Sequence, residues 1–346
     1  MTKRNSRPAR ENSDRRTDSK TQGGLSVNRR QLLQGVGAAT VFGAFAAEYA
    51  QASDGESAQP FGDVGTLDIG DEIPTGSQFW SFNELFDDGY TNADLIHLSD
   101  EAGLDSYEPY FLDDVDDMLA AQDETGVYMS SAHVSISDVE DDPAGMAEEY
   151  EPFTVDGRSP ALIEPAIGDG WDTESSVIEI AERVNAAADE MADYGFEFGY
   201  HNHDWEFDYL DDADERAYDV FIEHIEDHVY LQLDVAWVYA GVDRPNPIHY
   251  IVDHGEKIKS LHMKNWTEDG NTLTEIHEGD VNQRAVATAA RNASAVDHLV
   301  YEYDNSPQPY ESFEYAGMWL NRINHPWDPP GLPGIPGADT HPAKLG

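Results

Sequence analysis

The chain has 346 residues, with 20 Lys and Arg against 69 Asp and Glu, a formal charge of -49 and a pI near 4.2. A surface this anionic repels phosphate backbones and anionic lipid, which argues against nucleic-acid binding and polybasic membrane docking. Zero cysteines exclude disulfides, thiolate metal sites and thiol nucleophiles, so any metal must sit on His and carboxylates. With 40% hydrophobic and 11% aromatic residues the chain has enough apolar surface for a substantial core, and its length fits one large domain or two small ones.

Charge is uneven along the chain. Residues 1–52 hold nine Lys or Arg and four Asp or Glu, which leaves 11 and 65 in the remainder and a formal charge of -54 there. Arg29-Arg30-Gln31-Leu32-Leu33-Gln34 precedes a small, apolar run over 35–47 and then Ala50-Gln51-Ala52, a small-x-small cleavage pattern. This resembles a twin-arginine export signal over residues 1–52. The apolar run is shorter than the ~20 residues a spanning helix needs, and no Cys follows to carry a lipid. The expectation is an exported protein, outside the membrane, with no stable anchor after cleavage. Acids recur in nearly every later segment while Lys is scarce, the pattern of a salt-adapted surface whose self-repulsion is screened when the Debye length falls to ~3 Å in molar salt.

Residues 53–75, rich in Gly, Asp, Ser and Pro, read as a linker. From there β-rich runs over 78–82, 106–110, 127–134, 161–165, 196–201, 229–235, 258–264 and 298–303 alternate with helical patterns. The clearest helix covers 173–194, with Val177, Ile180, Ala181, Val184 and Ala188 on one face. Shorter ones are predicted over 94–102, 115–124, 217–226, 247–254 and 283–292. Eight strands alternating with helices predict a single α/β domain over 76–324, a (β/α)8 TIM barrel. A doubly wound open sheet is the alternative, but no Gly-rich dinucleotide fingerprint and no P-loop accompanies it. Residues 325–346, with Pro326, Pro329, Pro330, Pro333 and Pro336 among glycines, read as an extended tail.

Four strand runs end in ligand-type residues: Phe198-Gly199-Tyr200-His201-Asn202-His203, Leu231-Gln232-Leu233-Asp234, Ser260-Leu261-His262-Met263-Lys264 and Leu299-Val300-Tyr301-Glu302-Tyr303-Asp304. The C-terminal ends of barrel strands share one pocket, so these residues are expected to converge there as a site for Mn²⁺, Mg²⁺, Co²⁺ or Zn²⁺.

These four segments resemble the xylose isomerase-like TIM barrels of the sugar phosphate isomerase/epimerase family. The likeness lies in Gly199-Tyr200-His201-Asn202-His203-Asp204-Trp205-Glu206-Phe207, in Leu233-Asp234-Val235-Ala236-Trp237, in the His262-Met263-Lys264 strand, where Asn265 stands for the family's usual Asp, and in the final Glu302 strand. Tyr107-Glu108-Pro109-Tyr110 and Ser131-Ala132-His133-Val134 fit the second and third strand ends. The resemblance spans roughly 76–322 and implies one divalent metal on His201, Asp234, His262 and Glu302, with His203 as the alternative to His201. Many family members have Glu where His201 stands, so a two-carboxylate epimerisation needs Glu206 to fold inward.

The activity so implied is sugar isomerisation or epimerisation through a metal-stabilised enediolate, with Glu302 as ligand and base, Glu206 as second acid/base, and Lys264 and His133 polarising the substrate. Glu108 and His203 are candidate substrate contacts, and Trp80, Trp205 and Trp237 candidate floors for a sugar face. Export favours an unphosphorylated carbohydrate, and a keto-glycoside supplied by a partner oxidoreductase makes a lyase the alternative. A non-catalytic sugar- or metal-binding barrel, and a homo-oligomer, stay open.

Overall fold

The computed structural model describes residues 72–325 apart from Ser294. The export signal, most of the linker and the tail from residue 326 onward lie outside the described residues. Among the described residues no helix is long and apolar enough to cross a membrane.

The strands are β1 (Thr75–Gln78), β2 (Ser106–Glu108), β3 (Tyr128–Met129 and Ser131–His133), β4 (Ala161–Glu164), β5 (Phe198–His201), β6 (Tyr230–Asp234), β7 (Ile258–Met263) and β8 (His298–Tyr301). These eight pair in parallel, and Asn265–Thr267 with Thr272–Thr274 forms a separate antiparallel pair. The sheet runs from the first half of β3 through β2, β1, β8, β7, β6, β5 and β4 to the second half of β3. The two halves meet at Ser130, whose N–H donates to Tyr107 O at 3.0 Å and whose C=O accepts from Ala161 N at 3.1 Å. The sheet thereby closes on itself, with helices between successive strands, in the TIM-barrel architecture the alternation predicts.

The first strand lies earlier in the chain than predicted. Residues 78–82 were expected to be extended, yet Phe79–Phe82 is a 3₁₀ helix capped by Gln78, whose Oε1 accepts from Trp80 N at 3.1 Å. The strand itself uses Gly76, where a Cβ would come within 2.3 Å of Ser106 Oγ. Helices at Asn83–Asp87, Ile136–Asp141, Pro143–Tyr150, Val235–Ala240 and Pro309–Asn324 add to those predicted. The long helix is Glu174–Ala192, capped by Thr173, and its five predicted apolar positions are all buried, with Val177, Ile180 and Val184 each contributing roughly 1.5–3 kcal/mol if fully withdrawn from water.

Strand alternation sorts the two faces. Leu231 and Leu233 of β6, Leu261 and Met263 of β7, and Leu299 and Tyr301 of β8 point outward and join the core shared with the helices. Their neighbours Gln232, Asp234, Ser260, His262 and His298 point into the barrel and are buried there. Apart from a small cluster of Ala161, Ile163 and Tyr230, the inner layer near the C-terminal strand ends is a hydrogen-bonded polar network.

Candidate metal and carbohydrate site

β5 to β8 deliver the four expected ligands to one place. Ligand atoms of His201, Asp234, His262 and Glu302 lie within 4.8 Å of one another, and all four residues are buried. His133, His201 and His262 form an overlapping group under the same criterion, with His201 and His262 ring centroids 4.6 Å apart.

The backbone explains the placement. Gly199 lets β5 approach β6 closely, since a Cβ there would fall 1.7 Å from Tyr230 O. Asn202 then ties the two strand ends together: its Oδ1 accepts from Asp234 N at 3.0 Å and its Nδ2 donates to Asp234 O at 3.3 Å. Asp234 caps the helix Val235–Ala240, its Oδ1 accepting from Ala236 N at 2.9 Å and Trp237 N at 3.0 Å. Its Oδ2 forms an ion pair with Lys264 Nζ at 2.9 Å and has no hydrogen-bond partner.

His262 is clamped by two glutamates. Its Nδ1 lies 2.7 Å from Glu302 Oε2 and its Nε2 2.8 Å from Glu108 Oε2. Burial disfavours the imidazolium, but the charges of Glu108 and Glu302 outweigh it and push His262 up to about 10. Lys264, two residues on, is 1% exposed. Its Nζ lies 2.9 Å from Asp234, 2.8 Å from Glu302 and 3.1 Å from Asp304. Burial opposes the ammonium there too, and the three carboxylates overcome it. Burial also works against the Glu302 carboxylate, yet Lys264 and His262 hold it well below the usual range. His201 lies well below the normal imidazole value, chiefly through burial, and burial together with Lys264 lowers His203 to about 3.

The expected residues divide by position. His203 stacks on Trp205 with centroids 4.3 Å apart and lies 5.8 Å from Trp237, outside the four-ligand group, while His201 is within it. Trp237 also faces Lys264, with Nζ 4.9 Å from its ring centroid. Trp80 belongs to a separate arc, packed on Tyr110 at 4.6 Å. His133 is half-buried beside His201 and His262, its Nε2 2.8 Å from Gln232 Oε1.

Two assignments change. Glu108 was expected to touch substrate, but it is fully buried and its oxygens are engaged by His262, Gln78, Gln232 and Ser131. It positions His262. Glu206 was expected to turn inward as a second acid/base. Instead it accepts from Tyr200 OH at 2.6 Å and His203 N at 3.0 Å, and Tyr200 packs against Trp171 and Phe221 on the helix side of the barrel. The one-residue offset from His201 puts Tyr200, and with it Glu206, on the opposite face of β5.

Three members of the site carry no assignment from sequence. Gln232 has Oε1 2.8 Å from His133 Nε2 and 3.0 Å from His201 Nδ1, while its Nε2 donates to Glu108 Oε1 at 2.8 Å. Asp304 anchors Lys264, and Trp266 packs on Trp237 at 5.7 Å. The signal for Gln232 was a polar residue on the same strand face as Asp234.

The residues present fit a divalent cation. Two imidazoles and two carboxylates match the donor preferences of Zn²⁺, Mn²⁺ or Co²⁺, and Asp234 Oδ2 is a buried carboxylate oxygen whose one partner is the Lys264 ammonium. Buried N–H groups of Trp205, Trp237 and Trp266, and Nδ1 of His203, lack partners; buried polar atoms are normally satisfied, so four around one mouth mark a place for a polar ligand.

Fold and site together define a TIM barrel with a buried His/carboxylate cluster at the C-terminal ends of its strands. No family model and no curated protein matches the sequence. Among solved structures, the chain is similar to a sugar phosphate isomerase/epimerase from Parabacteroides distasonis (TM-score 0.59, 17% identity, covering 73% of this chain and 97% of that one). It is also similar to the IOLI protein with a bound zinc atom (0.53, 16%, 72% and 96%) and to the 3-keto-D-glucoside 4-epimerase of E. coli (0.52, 13%, 72% and 100%). The chain thus shares its fold, the one expected from the strand–helix alternation, with these three structures.

Proposed function

We propose that this chain is a divalent-metal-dependent isomerase or epimerase of an unphosphorylated carbohydrate, exported by the twin-arginine pathway. The observation that carries the reading is the convergence of buried His201, Asp234, His262 and Glu302 on one point, with the only buried lysine among the described residues, Lys264, beside them. A cation held by those four residues would supply Lewis acidity toward adjacent sugar oxygens. Glu302, kept anionic, is the carboxylate placed to remove a proton next to a carbonyl, and Lys264 is the group placed to return one or to hold the developing oxyanion. Glu108 and Gln232 set the orientation of His262, His133 and His201. Trp237 and the His203–Trp205 stack offer flat apolar surfaces to a sugar ring.

A second reading, a keto-glycoside lyase fed by a partner oxidoreductase, is favoured by one observation: Glu206 faces away and Glu108 is committed to His262, so neither supplies Glu302 with a free second acid/base. Elimination needs a single base, which takes the α-proton while the C–O bond to the aglycone breaks and the aglycone leaves as an alcohol after gaining a proton. A non-catalytic binding barrel shares the metal but not the turnover.

The test is metal analysis of protein purified in high salt, with His262→Ala and Glu302→Ala alongside, followed by assays on free ketoses and 3-keto-glycosides. A metal-free wild type refutes the proposal, and bound metal without turnover of either class moves it to the binding reading. For export, Arg29→Lys with Arg30→Lys is expected to retain the protein inside the cell, and unchanged secretion refutes that part.

A further inference from the structure

We infer that the rim of the barrel above β1 and β2 is a subsite for an apolar group attached to the sugar, so that the substrate is a glycoside with a hydrophobic aglycone rather than a bare monosaccharide. This rests on the carbohydrate reading of the site and narrows its substrate class.

Four aromatic rings form a continuous patch there. Trp80 meets Tyr110 at 4.6 Å, Tyr110 meets Phe111 at 5.2 Å, and Phe86 lies 6.3 Å from Tyr110 and 5.0 Å from Phe111. Tyr110 and Phe111 are each 44% exposed. They are the only sequence neighbours among the exposed large hydrophobic residues described. A chain with 65 acids beyond residue 52 keeps its surface strongly polar, and salt strengthens the cost of exposing apolar area. An exposed aromatic patch on such a surface marks a binding site.

Its position ties it to the chemistry. Trp80 follows β1 and Tyr110 follows β2, both at the strand ends that carry the site. Gln78 links the two: its Oε1 accepts from Trp80 N at 3.1 Å and its Nε2 donates to Glu108 Oε2 at 3.0 Å. Glu108 in turn holds His262. Two side chains, Gln78 and Glu108, thus connect the Trp80 backbone to His262 of the ligand cluster, and the patch lies on a different arc of the rim from Trp237 and Trp205. A sugar gripped by the polar cluster would direct a substituent toward an aromatic wall. Among the described residues no cation lies over these four rings, which suits an aryl or alkyl aglycone and not a phosphate or a second acid.

The experiment compares binding of glucose, methyl β-D-glucoside and phenyl β-D-glucoside, each also as its 3-keto derivative, to the metal-loaded full chain in high salt by calorimetry. The aryl glycoside is expected to bind about tenfold tighter than the methyl one, the equivalent of covering part of two half-exposed rings. Phe111→Ala and Tyr110→Ala, both at partly exposed positions, are expected to remove that preference while leaving methyl glucoside affinity unchanged and lowering the melting temperature by only a few degrees through the lost ring contacts. Equal affinity for the two glycosides, or a preference that survives both substitutions, overturns the inference, as does a change of oligomeric state in the variants without a change in selectivity. Failure of all six ligands to bind instead refutes the carbohydrate reading itself.

Discussion

Replacing Lys264 by Met tests whether the site is built to exchange one cation for another. The ammonium lies within 3.1 Å of Asp234, Glu302 and Asp304 and is 1% exposed. Methionine fills much of the same volume, so the main loss is charge. Removing one partner from a buried ion pair costs about 3–5 kcal/mol because the remaining charges stay buried and uncompensated. At about 2–4 °C per kcal/mol for a domain of this size, the variant in EDTA is expected to melt roughly 6–20 °C below wild type. A divalent ion among the same carboxylates restores the missing positive charge and no longer competes with the ammonium. The upward shift in melting temperature on adding Mn²⁺ or Zn²⁺ is therefore expected to be larger for Lys264→Met than for wild type, and the metal Kd smaller. Scanning calorimetry in multimolar KCl, with EDTA and with excess metal, reads both effects. A variant that melts within about 2 °C of wild type in EDTA, or that gains no more from metal, refutes the reasoning.

Other consequences are as open to measurement. Gln232→Leu cuts the shared support of His133, His201 and Glu108, and metal affinity by titration is expected to fall about 10–100-fold, the usual cost of losing a residue that orients ligands; unchanged affinity contradicts that role. Burial pushes Glu206 up to about 8, above its unfolded value, so the folded state holds a proton that the unfolded chain has released, and stability declines as pH rises from about 5 to 8 with a limiting slope of ~1.4 kcal/mol per pH unit. In Glu206→Gln that part of the decline is expected to vanish in urea titrations across the window; parallel curves for the two proteins refute it. The dense acids predict a melting temperature and far-ultraviolet dichroism that both rise steeply from dilute buffer to multimolar KCl, and flat profiles would count against salt adaptation.

Alternation made most of the barrel legible. Leu231-Gln232-Leu233-Asp234 and Ser260-Leu261-His262-Met263-Lys264 announce an apolar outer face and a polar inner one, and those inner positions hold the cluster. The strand over 75–78 escaped because Thr75-Gly76-Ser77-Gln78 has no apolar side chain, while Phe79-Trp80-Ser81-Phe82 has the stronger β propensity. Glu206 was misjudged for a different reason. It lies in the 3₁₀ turn Trp205–Phe207, where strand period no longer says which way a side chain turns, and Tyr200 OH decides. Gln232 shares the strand face of Asp234, yet a neutral amide names no role until His133, His201, Glu108 and Ser131 are placed around it. Asn265 shows the converse. Its Nδ2 donates to Ile276 O at 2.7 Å while Oδ1 accepts from Trp266 N and Val281 N at 2.9 and 3.0 Å, so an Asp at this position would leave the Ile276 carbonyl without its donor.

The helix cap made by Asp234 has a bearing on ion selectivity. With Oδ1 committed to two backbone N–H groups, the carboxylate offers a metal one oxygen, and chelation through both would uncap Val235–Ala240. Calcium, which takes six to eight oxygens and readily uses carboxylates in the two-oxygen mode, is poorly served by such a single-toothed ligand beside two imidazoles. A cation held at these four residues is therefore expected to be one that favours imidazole and single-oxygen carboxylate ligands over the two-oxygen mode.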